Sequence, residues 1–225
     1  KILASFRRGL QRSLPLALTY SPRFHEFQVE DVASEPAAFA ASALPIYGID
    51  PTEDGVAYAV FDFGGGTTDF DYGFYRLPNE AEAAEGYEHV LEHFNAEGDE
   101  FLGGENLLEN LAYRVFLNNL DQCRSEGIAF TRPIDAADFP GSEQLVVRTQ
   151  AAITNTTMLM SKLRPFWEAG ERSSSNVLEI QLLNRNGEPE FCELRVDEDQ
   201  LTEYLNERIR QGLNNFFAAM KQAFC

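Results

Sequence analysis

Apolar positions along the chain change period several times, and each change predicts an element. Val56 to Phe61 is a run of strand-forming residues that meets Gly64-Gly65-Gly66, and Phe70 to Tyr75 leaves those glycines in a second run. Two extended arms around a tight glycine-rich turn predict a β-hairpin. Upstream, Arg8 to Leu18 is mildly helical and basic until Tyr20-Ser21-Pro22 interrupts it, and Phe27 to Val32 reads as a strand. Ser34 can cap a helix whose first turn holds Glu35 and Pro36, presenting Glu35 at a strand-to-helix corner. The Ala/Glu-rich stretch that follows Leu77-Pro78-Asn79-Glu80, up to Gly86, reads as a solvated loop.

Beyond Glu105 the pattern turns helical. Leu107, Leu108, Leu111, Val115 and Leu120 form an apolar stripe that stops near Gly127. A second helix is predicted from about Glu143 to Arg164, with Val146, Ile153, Met160 and Leu163 inward and Pro165 as its terminator. Val177 to Leu183 and Phe191 to Val196 alternate around Asn186-Gly187, a hairpin signal. Asp197, with Gln200 three residues on, predicts a capping box for a last helix that buries Leu201, Leu205, Ile209, Leu213, Phe216 and Met220. The succession of hairpins and helices predicts an α+β (α/β) fold.

His89-Val90-Leu91-Glu92-His93 matches a zinc-protease pattern, and its meaning depends on backbone shape. In a helix the two imidazoles share a face at roughly 6 Å and can ligate one ion. Extended, they stand about 13 Å apart. Tyr87, Val90, Leu91 and Phe94 fall on one helical face, so periodicity alone favours the helix.

Composition narrows the partners. The 225 residues include 18 Lys+Arg against 36 Asp+Glu, a formal charge of −18, which repels nucleic acid and acidic membrane surfaces. A nucleotide remains compatible, because backbone amides and a divalent cation act at short range. Cys123, Cys192 and Cys225 are odd in number and lack C-x-x-C spacing, against a disulfide framework or zinc knuckle and in favour of a reducing, cytoplasmic compartment. No apolar run is long enough to cross a bilayer, and the chain does not open on a hydrophobic signal region. It opens on lysine, which suggests a fragment of a longer chain.

The candidate chemistry sits at the first hairpin. Glycines without Cβ atoms can take positive φ and admit a phosphate to backbone N–H groups. Asp62 and Asp69 flank the turn, and carboxylates repel phosphate unless a cation such as Mg²⁺ lies between them. A hairpin with a flexible tip explains the three glycines equally well.

Gly55 to Tyr75 resembles the second phosphate-binding hairpin of the actin-like ATPase superfamily, most closely that of the seventy-kilodalton heat-shock chaperones. Ser34-Glu35-Pro36-Ala37-Ala38-Phe39-Ala40 with Tyr47-Gly48 resembles the family's Glu-Pro helix start. Gly98-Asp99-Glu100-Phe101-Leu102-Gly103-Gly104-Glu105-Asn106 resembles its Gly-Asp-x-x-Leu-Gly-Gly-Glu string. The three strings occur in the family's order; beyond Asn106 the resemblance is one of layout.

The resemblance implies a ribonuclease-H-like second-lobe sheet with an inserted helix-plus-hairpin subdomain. Residues 1–51 would close the first lobe, 52–103 carry the glycine hairpin, 104–196 form the tip subdomain hinged at Gly103-Gly104, and 197–225 form the closing helix. It makes the 87–94 segment a strand. It also implies ATP or ADP with Mg²⁺ as cofactors: Gly64, Gly65, Gly66 and Thr67 would hold phosphate oxygens, with Gly103 and Gly104 beside them. Asp62 and Asp69 would orient hydrated Mg²⁺ or the attacking water, with Glu35 assisting. Of Thr156 to Arg164, only Lys162 corresponds to the family's adenine-binding set, whose acidic partner is missing. A solvated helix face explains Lys162 and Arg164 as well, and an acidic residue favouring the helix dipole explains Glu35. The chain lacks the opposite phosphate hairpin and the later adenosine segment, so hydrolysis is expected only of an intact parent, with client or co-chaperone proteins as its partners. The rivals are a degenerate nucleotide fold that serves protein interaction, and a zinc hydrolase using His89 and His93.

Overall fold

The computed structural model describes residues 2–29 and 33–225, which fall into two compact units, Lys1–Ile49 and Asp50–Cys225. The first unit is helical: α1 (Ile2–Ser13), α2 (Leu16–Thr19), a 3-10 turn over Pro22–His25, and α3 (Glu35–Ile46). Ser34 caps α3 as expected, accepting from the Ala37 amide at 3.3 Å, with Pro36 in the first turn. The strand expected over 27–32 is corrected: residues 27–29 have no regular structure, and 30–32 lie outside the described residues.

The second unit opens with β1 (Val56–Phe63), β2 (Thr68–Arg76) and β3 (Val90–Asp99), an antiparallel sheet in that order. Between β2 and β3 lies α4 (Glu80–Ala84) where a loop was expected. Asn79 caps it, and the Glu82 carboxylate returns to the Asn79 amide, so a reciprocal capping box nucleates the turn. The 87–94 segment is not the helix its periodicity favours: pairing with β2 fixes Arg76 opposite Val90 and Gly73 opposite His93.

There follow α5 (Gly104–Asn118), α6 (Leu120–Glu126), α7 (Gln150–Ala169), the hairpin β4 (Val177–Leu183) and β5 (Pro189–Arg195), and α8 (Glu198–Phe224). Gly127 ends α6 in the left-handed region, where glycine carries no Cβ penalty. The break between α5 and α6 is held by Asn119, which donates to Val115 O and Arg195 O and accepts from the Arg195 amide.

Helix α7 starts later than its apolar pattern predicts. Ser142–Gln144 makes only a single 3-10 turn; Val146 is then taken into a bridge with Phe130, and Phe130 exchanges backbone bonds with Leu145 and Val147, so no α-helix forms until Thr149 caps α7. Pro165 lies inside α7 rather than ending it; with only one turn to follow, its missing N–H costs a single bond. The inward face also shifts: Ala152, Asn155, Thr156, Leu159 and Leu163 are buried, whereas Ile153 is exposed.

Two apolar clusters result. The larger joins Leu102, Leu107, Leu108, Leu111, Val115 and Phe116 of the α5 region to Leu159, Leu163, Ile180, Leu182, Leu194 and the start of α8. The smaller lies on the sheet, where Phe70 and Tyr72 meet Phe216 and Ala219. Helix α8 serves both. Its middle is not inward as expected: Ile209 and Leu213 are exposed, and the buried position between them is Gly212, whose missing Cβ makes room for Leu102. Asp197 caps α8 by accepting from the Gln200 amide, but the Gln200 side chain accepts from Asn118 instead of completing a box. The boundaries expected at 103/104 and 196/197 fall inside the second unit.

Candidate functional site

The glycine turn follows from its flanks. Phe63 and Thr68 are the last paired positions of β1 and β2, and Gly64 N–H donates to Thr67 O at 2.9 Å, closing a four-residue turn. None of Gly64, Gly65 and Gly66 has positive φ, so the left-handed freedom expected of them is not used. Close approach explains glycine here. A Cβ on Gly64 would lie 2.9 Å from Thr67 O, and one on Gly103 would lie 2.3 Å from the Gly66 carbonyl carbon.

That approach brings the turn onto the N-terminus of α5. The first amides of a helix have no intrahelical acceptor. Here Gly104 N–H donates to Gly64 O at 3.0 Å and Glu105 N–H to Gly65 O at 2.7 Å, while the Asn106 side chain donates to Gly66 O. Three successive turn carbonyls are thereby engaged. The amides of Gly65, Gly66 and Thr67 hydrogen-bond to nothing among the described residues, and all three residues are exposed. The turn is therefore polarised, with its acceptors held by α5 and its donors open to solvent.

Asp62 and Asp69 are directly paired across the strands, so their side chains project from one face of the hairpin. Asp62 is half-buried and Asp69 exposed, accepting from the Thr67 hydroxyl at 3.2 Å. No group of three or more His, Cys, Asp or Glu side chains able to hold a metal occurs among the described residues. The Asp62/Asp69 pair can thus orient only an ion that brings most of its own oxygen ligands.

Further along the same face, Asp71 is fully buried, accepts from Tyr58 Oη at 2.8 Å and has its other oxygen 3.4 Å from His93 Nδ1. That second contact is within ion-pair range but lacks hydrogen-bond geometry. Burial, with the Asp71 carboxylate adding to it, pushes the Tyr58 phenol well above its ordinary range. His93 is therefore engaged by Asp71, and His89 packs edge-on to Tyr75 at 5.3 Å between ring centroids.

Helix α7 contributes a different cation from the one expected. Lys162 lines a surface cavity with Arg172 and Glu198 and is not brought to the turn. Arg164, two residues on and about 200° around the helix, makes a bidentate pair with Glu105 at 2.8 and 2.9 Å and a further bond to Glu168. That pairing holds the Glu105 carboxyl below its ordinary range. Trp167 completes this flank, its ring 6.3 Å from that of Phe63 and near Gly104. Arg164 and Trp167 carry no local sequence signal, since their role depends on which face of α7 meets α5. Glu35, in the first unit, is the first residue of α3, where its carboxylate favours the helix dipole.

No family model matches the sequence, and no curated protein is significantly similar to it. The described residues include no helix long and apolar enough to cross a membrane.

Proposed function

We propose that the chain is part of a nucleotide-binding ATPase domain of the actin-like kind, related to the heat-shock chaperones, in which Gly64 to Thr67 receive the phosphates of Mg-ATP. The observation that carries this reading is the polarity of the turn. An anion needs converging N–H groups with no competing acceptor, and here the carbonyls of Gly64, Gly65 and Gly66 are taken up by α5 while the next amides are free. The carbonyls cap the first amides of α5, and that capping is what leaves the adjacent turn donors without a competing acceptor.

The paired Asp62 and Asp69 fit the second component, a hydrated Mg²⁺ that neutralises phosphate charge when bound. The amides of Gly65, Gly66 and Thr67 would hold terminal phosphate oxygens, the Thr67 hydroxyl adding a donor. Asp62 and Asp69 would fix the cation's waters, and Glu35 would assist the attacking water in the intact parent. The adenine side fits less well. Lys162 faces elsewhere and Arg164 is already held by two carboxylates, so phosphate contacts would carry most of the affinity of this chain.

The test is a titration of the isotope-labelled chain with Mg-triphosphate and with Mg-ATP, read at individual backbone amides. Mg²⁺-dependent shifts at Gly65, Gly66 and Thr67 are expected, abolished in Asp62→Asn/Asp69→Asn, with ATP binding little tighter than triphosphate. Shifts elsewhere, or shifts indifferent to Mg²⁺, would overturn the reading in favour of a protein-interaction module.

A further inference from the structure

Residues 1–25 differ in charge from everything after them. They hold Lys1, Arg7, Arg8, Arg12 and Arg23 and no Asp or Glu, a formal charge of +5, which leaves 13 basic against 36 acidic residues, or −23, at positions 26–225. Among the described residues none of these four arginines meets a carboxylate. Arg7 donates to Phe24 O at 3.5 Å and Arg8 to Ser5 Oγ at 3.0 Å, both uncharged acceptors.

Helix α1 sorts this stretch by face. At about 100° per residue, Ile2, Leu3 and Leu10 project within about 60° of Phe6, whereas Arg7, Arg8 and Arg12 lie about 100° or more away from it. The apolar arc is left uncovered: α1 has no buried residue, and Ile2 and Phe6 are 84% and 60% exposed. Leu16 and Leu18 of α2 are exposed as well. A helix of 12 residues is marginal in water on its own, so α1 gains its stability from whatever covers that arc.

From this segregation of charge and apolar surface we infer that α1 lies in the plane of an anionic lipid surface. Ile2, Leu3, Phe6 and Leu10 would sink below the headgroups, with Arg7, Arg8 and Arg12 level with them, the form in which a basic amphipathic helix binds a bilayer. A protein groove would cover the apolar arc but leave the opposite face to solvent, where an all-cationic composition gains nothing. At a bilayer the long arginine side chains of that face curl back to the headgroup phosphates. The −23 carried elsewhere does not cancel this attraction, because screening confines each field to ~8 Å at physiological ionic strength and the stretch nearest the surface is the positive one. The inference concerns residues 1–25 alone and does not rest on the reading of the glycine turn.

The experiment is cosedimentation of the full chain with unilamellar vesicles, either of phosphatidylcholine alone or with about a third phosphatidylserine. Binding to the anionic vesicles is expected to exceed binding to the neutral ones at least ~10-fold, and to fall in 1 M NaCl, where the screening length is ~3 Å. Arg7→Gln/Arg8→Gln/Arg12→Gln should weaken it ~100-fold, about fivefold per arginine. Phe6→Ser removes the central anchor and Gly9→Pro breaks the helix without altering its charge; each should weaken binding several-fold. Because α1 buries nothing, all three variants should leave thermal unfolding of the second unit unchanged, so a loss of binding is not a loss of fold. Equal binding to both vesicles, or anionic binding kept in Phe6→Ser and Gly9→Pro, would overturn the inference. So would polyglutamate bound more tightly than the vesicles, the mark of an acidic protein partner, or self-association abolished by Phe6→Ser, the mark of a second copy on the arc.

Discussion

Gly103→Ala separates two explanations of the Gly103-Gly104 pair. If glycine is present as a pivot, alanine should stabilise the fold by ~0.4–1 kcal/mol, because it restricts the unfolded chain and Gly103 has φ −128°, which any residue adopts. If glycine is present because the turn must lie against α5, alanine should do the opposite. Its Cβ would stand 2.3 Å from the Gly66 carbonyl carbon and 2.6 Å from Gly65 O, against an ordinary contact of at least 3.4 Å. Both neighbours are backbone, so the turn must retreat by about 1 Å. Bonds of 3.0 and 2.7 Å, Gly104 to Gly64 and Glu105 to Gly65, do not survive that displacement. At roughly 1 kcal/mol each plus residual strain, the loss is about 2–3 kcal/mol, or a fall in Tm of about 4–12 °C for a chain of this size. Urea unfolding of Gly103→Ala beside Gly66→Ala measures it. A Cβ on Gly66 meets nothing within 4 Å, so that variant should stay within about 0.5 kcal/mol of wild type. A Gly103→Ala variant as stable as wild type would refute the close-approach argument and restore the pivot.

Asn155→Leu should cost about 3 kcal/mol in denaturant unfolding, because fully buried Asn155 donates to Ala129 O and Leu183 O and accepts from the Leu183 amide, all of which it would leave unpaired. Tyr58→Phe should lower Tm by several degrees by stripping buried Asp71 of its one well-formed side-chain hydrogen bond among the described residues, and Tyr58→Phe/Asp71→Asn should recover part of the loss. Arg164→Met should show a pH-dependent deficit. Glu105 has a folded-state pKa below its unfolded value, so its contribution is present above the unfolded pKa and lost as pH falls through the folded one. The wild-type-minus-variant difference in thermal midpoint should therefore be full near neutrality and close in acid; a difference unchanged down to the lowest accessible pH would count against the pair.

Much of the architecture is local and could be read from residue order. The Gly127 terminator, the α5 stripe, the Ser34 cap and both hairpins depend on neighbours within a few positions. Even there the detail is tertiary: at Asn186-Gly187 only Gly187 is left-handed, and Asn184 N–H reaches Glu188 O, a wider turn than an Asn-Gly pair signals. The errors share one cause: Val146 has helical spacing but pairs with Phe130, and Ile209 has core spacing but faces solvent because Gly212 gives Leu102 the inward place. The same competition is legible at 87–94, where the strand expected from the resemblance prevails over helical spacing and Val90 to His93 pair with β2. At the candidate site, residue types announced Asp62, Asp69 and the glycines. The separation of donors from acceptors in the turn, and Arg164 in place of Lys162, depend on how α5 and α7 pack and leave no trace in local pattern.

Helix α8 has a consequence for how the second unit comes apart. At about 1.5 Å per residue, its 27 residues run ~40 Å, from Leu201 and Leu205 in the larger cluster to Phe216 and Ala219 on the sheet. The smaller cluster has no helix besides α8, and the larger, though it also holds α5 and α7, shares α8 with it. Fraying at the sheet end strips cover from Phe70 and Tyr72, and fraying at the other end removes a wall from the α5 packing. Amide exchange across β1–β3 and across α5–α7 should therefore be governed by one opening event of common free energy, making Asp50–Cys225 a single foldon despite its two interiors.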